Sequence, residues 1–221
     1  MNKYSNIQKA CEIDDLIFDE IVNDFHFKTE REIADYILKR FKQLKVKPAF
    51  PSIVANNNWE IHSKPRKIKL ERGFLILDFG CKINGYCSDM TRTLFLGKPS
   101  SAERKIYGIV LKCQIDSIKN IKLDGSYKQL DWDARKLLGK YKKYFVHSLG
   151  HGVGKKIHES PRIGLKSEDV VKMGEVITIE PGIYLPGKFG IRIEDTLYFG
   201  KKVEVLTKSS KNLIALPLRN V

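Results

Sequence analysis

The chain has 221 residues, of which 42% are hydrophobic and 30% are charged, and its formal net charge is +14. This composition predicts a globular protein with a substantial core. No apolar run approaches the roughly 20 residues that a membrane-spanning helix needs, and the polar first residues lack the apolar core of a signal peptide, so we expect a cytoplasmic protein.

The excess of positive charge raises nucleic acid as a partner, but the pattern of the lysines disfavours it. Lysines are spread along the whole chain, and the dense stretch at 64–72 contains a proline that indicates a surface turn. We therefore interpret the charge as a general lysine-rich surface.

The four cysteines form no CxxC pair, which is typical of reduced thiols without a metal or disulfide role.

The first half of the chain has the pattern of two helices followed by strands. Apolar residues recur at helical spacing over 3–24, and Thr29 followed by Glu32 is a capping-box signature that opens a second helix. Pro48 lies beyond the end of that helix. Two apolar segments, 74–80 and 90–97, then predict strands joined by a turn or a short strand.

The same order of elements repeats in the second half. Ser100 with Glu103 is a second capping-box signature, and a further helix is predicted around 127–140. Strand-like segments follow at 144–148, 175–182, 191–200 and 202–206. We therefore predict an α+β fold over 1–221, a single domain whose two helix–helix–sheet halves cover about 1–99 and 100–221.

Four carboxylates interrupt the predicted strands where apolar residues would be expected, namely Asp78, Asp89, Glu180 and Glu194. Burying an unpaired carboxylate costs several kcal/mol or more, so each needs a cation. Separate ion pairs are one interpretation, because Arg92 and Arg192 are close in sequence. A shared pocket neutralised by divalent cations is the other.

Three of the five histidines lie in one short stretch, HSLGHGVGKKIH at 147–158. The glycines between them disfavour a helix, which predicts an extended or looped segment. His151 together with the four carboxylates would suit two divalent cations, with Mn²⁺ or Co²⁺ favoured and Zn²⁺ or Fe²⁺ as alternatives. These residues alone leave open whether the five side chains meet.

The motifs that carry these residues resemble those of a known family. LDFG followed by NGYCSDMTRT, then HSLGHGVG, TIEPGIY and GIRIED, occur in this order. Together they resemble the methionine aminopeptidase and proline peptidase family. That resemblance implies the pita-bread fold, with two pseudo-symmetric halves around a curved antiparallel sheet.

The resemblance also implies roles for the matching residues. The metal ligands would be Asp78, Asp89, His151, Glu180 and Glu194, with Asp89 and Glu194 bridging two ions. His62 and His158 would contact the substrate or steady the transition state, and His147 would also face the substrate. Arg192 and Tyr184 would also bind the substrate, because they match an arginine and a tyrosine that the proline branch has near its active site.

The activity implied is hydrolysis of the first peptide bond of a peptide with a free N-terminus, most closely at an Xaa-Pro bond. Glu180 would carry the proton from the attacking water to the leaving nitrogen, and His158 would donate to the oxyanion. The resemblance also allows a homodimer, although the sequence does not decide the oligomeric state. Proline peptidases of this kind usually carry an extra N-terminal domain, and we expect none in this chain because the first helix begins close to Met1.

Two alternatives remain open at this point. The first is a methionine aminopeptidase of the same fold, which is compatible with a short chain. The second is a non-catalytic protein of this fold that binds nucleic acid or the ribosome through its basic surface. The complete set of five ligand residues argues against the second alternative.

Overall fold

A computed structural model describes residues 2–218. In that range the helices are α1 (Lys3–Asn23), α2 (Glu30–Gln43), α3 (Ser101–Lys119) and α4 (Tyr127–Leu137), with a 3-10 helix at Gly139–Tyr144. All the predicted helices are present, although the one expected over 127–140 ends as α4 and continues as the 3-10 helix. None of the described helices combines the length and the apolar character that crossing a membrane requires.

The two predicted helix caps differ in how completely they form. At α3 the box is reciprocal, because the Ser100 side chain accepts from the Glu103 backbone N–H and the Glu103 carboxylate accepts from the Ser100 backbone N–H. At α2 the Thr29 hydroxyl accepts from Glu32, but the Glu32 carboxylate accepts from the backbone N–H of Lys28 instead. Both helices nevertheless begin directly after the predicted cap.

The strands are short and are described in chain order. In the first half they are β1 (Lys47–Pro48), β2 (Ile53–Asn56), β3 (Gly73–Phe79), β4 (Cys81–Ile83), β5 (Tyr86–Cys87) and β6 (Met90–Leu96). In the second half they are β7 (Gly150–Gly152), β8 (Glu159–Ile163), β9 (Val176–Ile179), β10 (Gly182–Leu185), β11 (Phe189–Arg192), β12 (Asp195–Phe199), β13 (Val203–Val205) and β14 (Ala215–Leu216).

Two larger sheets form the centre of the molecule. The first has the order β14-β6-β3-β2, and the second has the order β13-β12-β9-β7-β8. Pairing is antiparallel except for β14, which returns from the C-terminal part to lie parallel to β6. Smaller sheets, β1-β4-β5 and β10-β11, extend these two.

The two sheets meet where β6 faces the segment before β12. Thr91 forms an isolated antiparallel bridge with Glu194, and the Glu194 backbone N–H donates to the Thr91 carbonyl at 3.0 Å. On its other side Thr91 lies opposite Asp78 of β3. Residues from both halves of the chain therefore meet around one point of β6.

Each half also has its own core. One buried cluster joins α1 and α2 to β3 and β6, and a second joins α3 and α4 to the strands of the second sheet. The two aromatic rings Phe74 and Phe95 belong to the second cluster although they lie on strands of the first half, and they pack edge to face with their centroids 4.9 Å apart. The helices thus cover the outer faces of the sheets.

The predicted strand at 144–148 was wrong. The 3-10 helix extends through Tyr144, and the residues after it have no strand partner in the described structure. The Arg135 guanidinium donates to the carbonyls of Phe145 and His147, each at 2.7 Å, so a side chain satisfies groups that a sheet would otherwise pair. An apolar pattern alone does not reveal such a competitor.

The other differences also concern strands. The predicted strand at 191–200 is divided, because Ile193 N–H donates to Pro181 and Glu194 N–H donates to Thr91 between β11 and β12. Strand β8 was not predicted because it contains Pro161, which is tolerated there since β8 is the edge of its sheet. The break before β12 leaves Glu194 at the meeting point of the sheets.

Candidate active site

Each of the four carboxylates lies at or beside a strand of the central sheets. Asp78 is on β3, and Asp89 directly precedes β6. Glu180 directly follows β9, where Pro181 ends the strand, and Glu194 directly precedes β12. The pairing of β3, β6, β12 and β9 therefore brings these side chains to one place.

His151 lies in the middle of β7, and its neighbouring glycines are required by close packing. A Cβ atom on Gly150 would lie 2.0 Å from the Thr178 carbonyl oxygen, and one on Gly152 would lie 2.2 Å from the Ser160 carbonyl oxygen. No side chain fits at those distances. The segment is an extended strand with a bulge after His151, which agrees with the prediction of a non-helical segment.

The imidazole of His151 faces the carboxylates. Its Nε2 lies 3.5 Å from Asp89 Oδ2 and 3.5 Å from Glu180 Oε1. One potential ligand atom each from Asp89, His151 and Glu194 lie within 4.8 Å of one another. The structure thus brings together side chains from 89, 151, 180 and 194, as the shared-pocket interpretation requires.

Burial and mutual repulsion disfavour ionisation of the four carboxylates. Burial raises the pKa of all four above the ordinary range, and repulsion between neighbouring carboxylates adds to this for Asp89, Glu180 and Glu194. The pKa of Glu194 is raised to about 8. A positive charge placed among these groups would reverse these shifts.

The donor set fits a metal centre. Burial lowers the pKa of His151 to about 4, so the ring is neutral, and its Nδ1 lies 3.1 Å from the Gly152 carbonyl. The Nδ1 atom therefore carries the proton, which leaves the Nε2 lone pair directed at two carboxylates. Asp78 Oδ1 is buried and has no hydrogen-bond partner among residues 2–218. Lone pairs that face one another in this way are the arrangement that a bound cation requires.

The arginines divide between two different sites. Arg192 Nη2 donates to Asp78 Oδ2 at 2.5 Å, so one of the four carboxylates has an ion-pair partner. Arg92 instead pairs with Asp195, which is not one of the four carboxylates. The interpretation as four separate ion pairs is therefore wrong for Asp89, Glu180 and Glu194.

Tyr184 lies behind Arg192. Its hydroxyl accepts from Arg192 Nη1 at 2.8 Å and lies 2.8 Å from His147 Nε2. Burial lowers the pKa of His147 to about 3, so this ring is neutral and its 3.8 Å approach to Glu180 is not an ion pair. Both nitrogens of His147 are occupied, because Nδ1 lies 2.8 Å from the Ser148 carbonyl. Tyr184 and His147 therefore hold Arg192 in place.

A cavity of about 860 Å³ opens above these groups. Its lining includes Asp78, Asp89, Glu180, Glu194, His151, Arg192, His147, His62 and His158. The rings of His151 and His158 meet edge to face with centroids 4.3 Å apart. Tyr184, which was predicted to bind substrate, is not part of the lining. The substrate contacts of the other histidines remain predictions.

Two residues at the site were not singled out from the sequence. The Thr91 hydroxyl donates to Glu194 Oε2 at 2.6 Å and accepts from Arg192 Nε at 3.1 Å, which links the two. Arg162 lines the cavity, and its Nε donates to Ser148 Oγ at 2.8 Å. Polar residues at alternate positions of β6 were the available signal for Thr91. Arg162 lies in a strand that was not predicted.

Comparison with known proteins gives a consistent result. The sequence profile of metallopeptidase family M24 matches residues 5–201. The chain is 42% identical over 218 residues to a Xaa-Pro dipeptidase of Pyrococcus furiosus, with 94% of this chain and 62% of the relative covered. It therefore spans about three fifths of the length of that relative.

Solved structures show the same architecture. The prolidase from Pyrococcus horikoshii matches with a TM-score of 0.92 and 38% identity, over 96% of this chain and 63% of that one. The X-Pro aminopeptidase from Thermotoga maritima matches with a TM-score of 0.92 and 34% identity, over 97% and 63%. The predicted α+β class and the pita-bread fold are confirmed. Since the profile match covers residues 5–201, most of the chain and all five predicted ligand residues, the chain belongs to metallopeptidase family M24.

Proposed function

We propose that the protein is a metal-dependent exopeptidase that cleaves Xaa-Pro bonds at the free N-terminus of short peptides. The observation that carries this proposal is the floor of the cavity, where the Nε2 lone pair of His151 faces carboxylates whose pKa values are raised. The relatives named Xaa-Pro dipeptidase and prolidase support the choice of bond.

Five side chains would hold the metal, namely Asp78, Asp89, His151, Glu180 and Glu194. We infer a centre of two divalent ions, with Mn²⁺ or Co²⁺ favoured by the oxygen-rich donor set and Zn²⁺ or Fe²⁺ as alternatives. Bound metal supplies a water molecule that is nucleophilic at neutral pH, and a Lewis acid for the carbonyl. The chain itself must then orient the peptide and move protons.

Glu180 is the residue best placed to move a proton. Its carboxylate lines the cavity, and burial and the neighbouring Glu194 raise its pKa well above the usual range. A carboxylate of raised basicity can accept a proton from water and pass it to the leaving nitrogen. His158 and His62 on the cavity wall are our candidates for contacts with the scissile carbonyl and the substrate.

The mouth of the cavity carries positive charge that suits a short peptide. Lys64 and Arg162 are both exposed and line the cavity. Within the described part of the chain, the terminal guanidinium nitrogens of Arg162 have no hydrogen-bond partner, while Nε is fixed by Ser148. A planar guanidinium held in this way can receive a carboxylate in a bidentate manner. This favours dipeptides, whose terminal carboxylate would lie close to the metal site.

A peptide panel tests the proposed function. Ala-Pro, Ala-Pro-Ala and Met-Ala-Ser would each be incubated with Mn²⁺, Co²⁺, Zn²⁺ or a chelator, and the products read by mass spectrometry. We expect metal-dependent cleavage of Ala-Pro that is lost in Glu180→Gln and retained in Glu168→Gln, a matched change at an exposed glutamate.

The other outcomes would assign the protein differently. Cleavage of Met-Ala-Ser alone would move it to the methionine aminopeptidases. If every peptide stayed intact while metal was bound, the peptidase proposal would be wrong, and retention on RNA would then test the binding alternative.

A further inference from the structure

The loop at 57–65 forms one wall of the cavity. It follows β2, and its second half contributes five consecutive residues to the lining: Ile61, His62, Ser63, Lys64 and Pro65. His62 and Lys64 are exposed, and Trp59 is 43% exposed. Of the five lining residues only Ser63 is buried, so solvent reaches most of this wall and its position must be fixed from elsewhere.

Few hydrogen bonds hold the loop internally. The Asn58 amide donates to Ser63 Oγ at 2.8 Å, and the Glu60 backbone N–H donates to Asn58 Oδ1 at 3.0 Å. The loop also crosses β11 closely, since a Cβ atom on Gly190 would lie 3.0 Å from the Asn58 carbonyl oxygen. At the start of the loop, the Asn57 backbone N–H donates to the Phe74 carbonyl at 2.9 Å and Asn57 Nδ2 donates to the Arg72 carbonyl at 2.8 Å. A loop with so few internal contacts takes its position from the attachment of its two ends.

Both ends of the loop are bound to one buried carboxylate. Glu30, the first residue of α2, has 0% exposure. Its Oε1 accepts from the Asn56 backbone N–H at 2.7 Å and from Arg66 Nη2 at 2.5 Å. Its Oε2 accepts from the Arg66 backbone N–H at 2.7 Å and from Arg66 Nε at 2.9 Å. Asn56 precedes the loop and Arg66 follows it.

Two further interactions strengthen the attachment of the loop ends. Arg66 Nη2 also donates to the Asn56 carbonyl at 2.8 Å, so the two ends are tied directly as well as through the carboxylate. Glu30 also lies in the first turn of α2, where the helix dipole interacts favourably with an acidic side chain. A bidentate arginine–carboxylate pair fixes direction as well as distance.

We propose that Glu30 is a positioning residue for substrate binding, acting through Arg66 to hold the loop that carries His62 against the cavity. Glu30 itself is not part of the cavity lining and is not one of the metal-ligand residues. The inference rests on the proposed function only in assigning the cavity to a peptide. The attachment of the loop can be tested without that assignment.

The test compares Glu30→Gln with a matched pair elsewhere. Glu20 forms a similar bidentate pair with Arg40, at 2.7 Å for both bonds, but this pair joins α1 to α2 and has no contact with the loop. Glu20→Gln is therefore the control for a general loss of stability. Arg66→Lys keeps the positive charge but loses the planar guanidinium that donates to both Glu30 oxygens. It is the alternative test variant if Glu30→Gln does not fold.

Two independent measurements would be made on the full chain loaded with Mn²⁺. With Ala-Pro we expect KM to rise about tenfold in Glu30→Gln, equivalent to about 1.4 kcal/mol of binding, while kcat changes less than about threefold. Metal affinity, measured by titration calorimetry, should stay unchanged. Arg66→Lys should give a smaller rise in KM.

The second measurement does not need activity. The chain has two tryptophans, so Trp132→Phe leaves Trp59 in the loop as the single reporter. We expect acrylamide to quench Trp59 more efficiently in Glu30→Gln than in Glu20→Gln. Equal quenching and equal KM in these two variants would overturn the inference. Increased quenching in a chain that cleaves no peptide would support the attachment and reject the proposed function separately.

Discussion

Arg92 provides the sharpest test of how a buried residue outside the cavity lining positions Glu194. Its side chain is 1% exposed and makes five hydrogen bonds. Nη1 donates to the carbonyls of Thr91 and Glu194, and Nη2 donates to Asp195 Oδ1 at 2.7 Å. The guanidinium also binds the Ser209 carbonyl. It thereby joins both sheets and the C-terminal segment at the bridge that positions Glu194.

The cost of removing this cation can be worked from its surroundings. Arg92→Met would leave Asp195 paired with Lys211 at 2.6 Å, but it would break the Arg92–Asp195 pair and take the guanidinium donors away from the carbonyls of Glu194 and Ser209. Removing one partner of a buried pair typically costs about 3–5 kcal/mol. For a chain of this size that corresponds to a fall in Tm of roughly 6–20 °C.

Urea and thermal unfolding would measure the effect. Lys112→Met is the control, because its i,i+4 pair with Asp116 is exposed and should contribute less than about 1 kcal/mol. The double variant Arg92→Met/Asp195→Leu should not recover the loss, because it also leaves Lys211 without its carboxylate partner. If Arg92→Met unfolded together with the Lys112→Met control, the reasoning about the buried pair would be refuted.

Three further predictions follow from charges elsewhere. Because the pKa of Glu194 is raised to about 8, a proton must leave before metal binds, so metal affinity should rise with pH from 6 to 8, and a flat calorimetric profile would contradict this. Asp14 is fully buried, and its carboxyl oxygens have no hydrogen-bond partner within residues 2–218. Burial raises the pKa of Asp14, so ionising it costs stability once the pH rises above the ordinary pKa of an aspartate. Asp14→Asn should therefore unfold at higher urea at pH 7, with the difference vanishing near pH 4; a less stable variant at pH 7 would refute this. Arg162→Met should raise KM for Ala-Pro about tenfold but leave Ala-Pro-amide unchanged, whereas an equal effect on both peptides would show that Arg162 does not receive the carboxylate.

Local rules of sequence predicted the helices and the non-helical histidine segment well. The Ser100 cap and the glycine-rich stretch around His151 depend on neighbouring residues, and local chemistry is visible in a sequence. The meeting of the carboxylates depends on long-range pairing, such as the bridge between Thr91 and Glu194. That part came from a family resemblance, because periodicity cannot show which strands pair.

The sequence also could not assign partners among equivalent charges. Arg92 and Arg192 were both candidates to neutralise a ligand carboxylate, yet only Arg192 does so. Arg92 and Thr91 are neighbours on one strand, so their side chains point to opposite faces of the sheet. Thr91 is thereby directed to the Glu194 carboxylate, and Arg92 to Asp195 behind it. The register in which β6 pairs with its neighbours decides which carboxylate each of the two side chains reaches, and the sequence alone does not give that register.

The charge of the cavity floor bears on the number of ions. Among residues 2–218, the four carboxylates of the cavity floor face one arginine, Arg192, and the neutral rings of His151 and His147 add no charge. Three negative charges therefore remain uncompensated when all four groups ionise. One divalent ion would leave one of these charges, whereas two ions would turn the sum positive and attract an anion or a water that loses its proton. We expect titration calorimetry to show two ions per chain, the second weaker than the first, and Arg192→Met to strengthen binding of the second. A single ion with full activity would show that one carboxylate keeps its proton in the working enzyme.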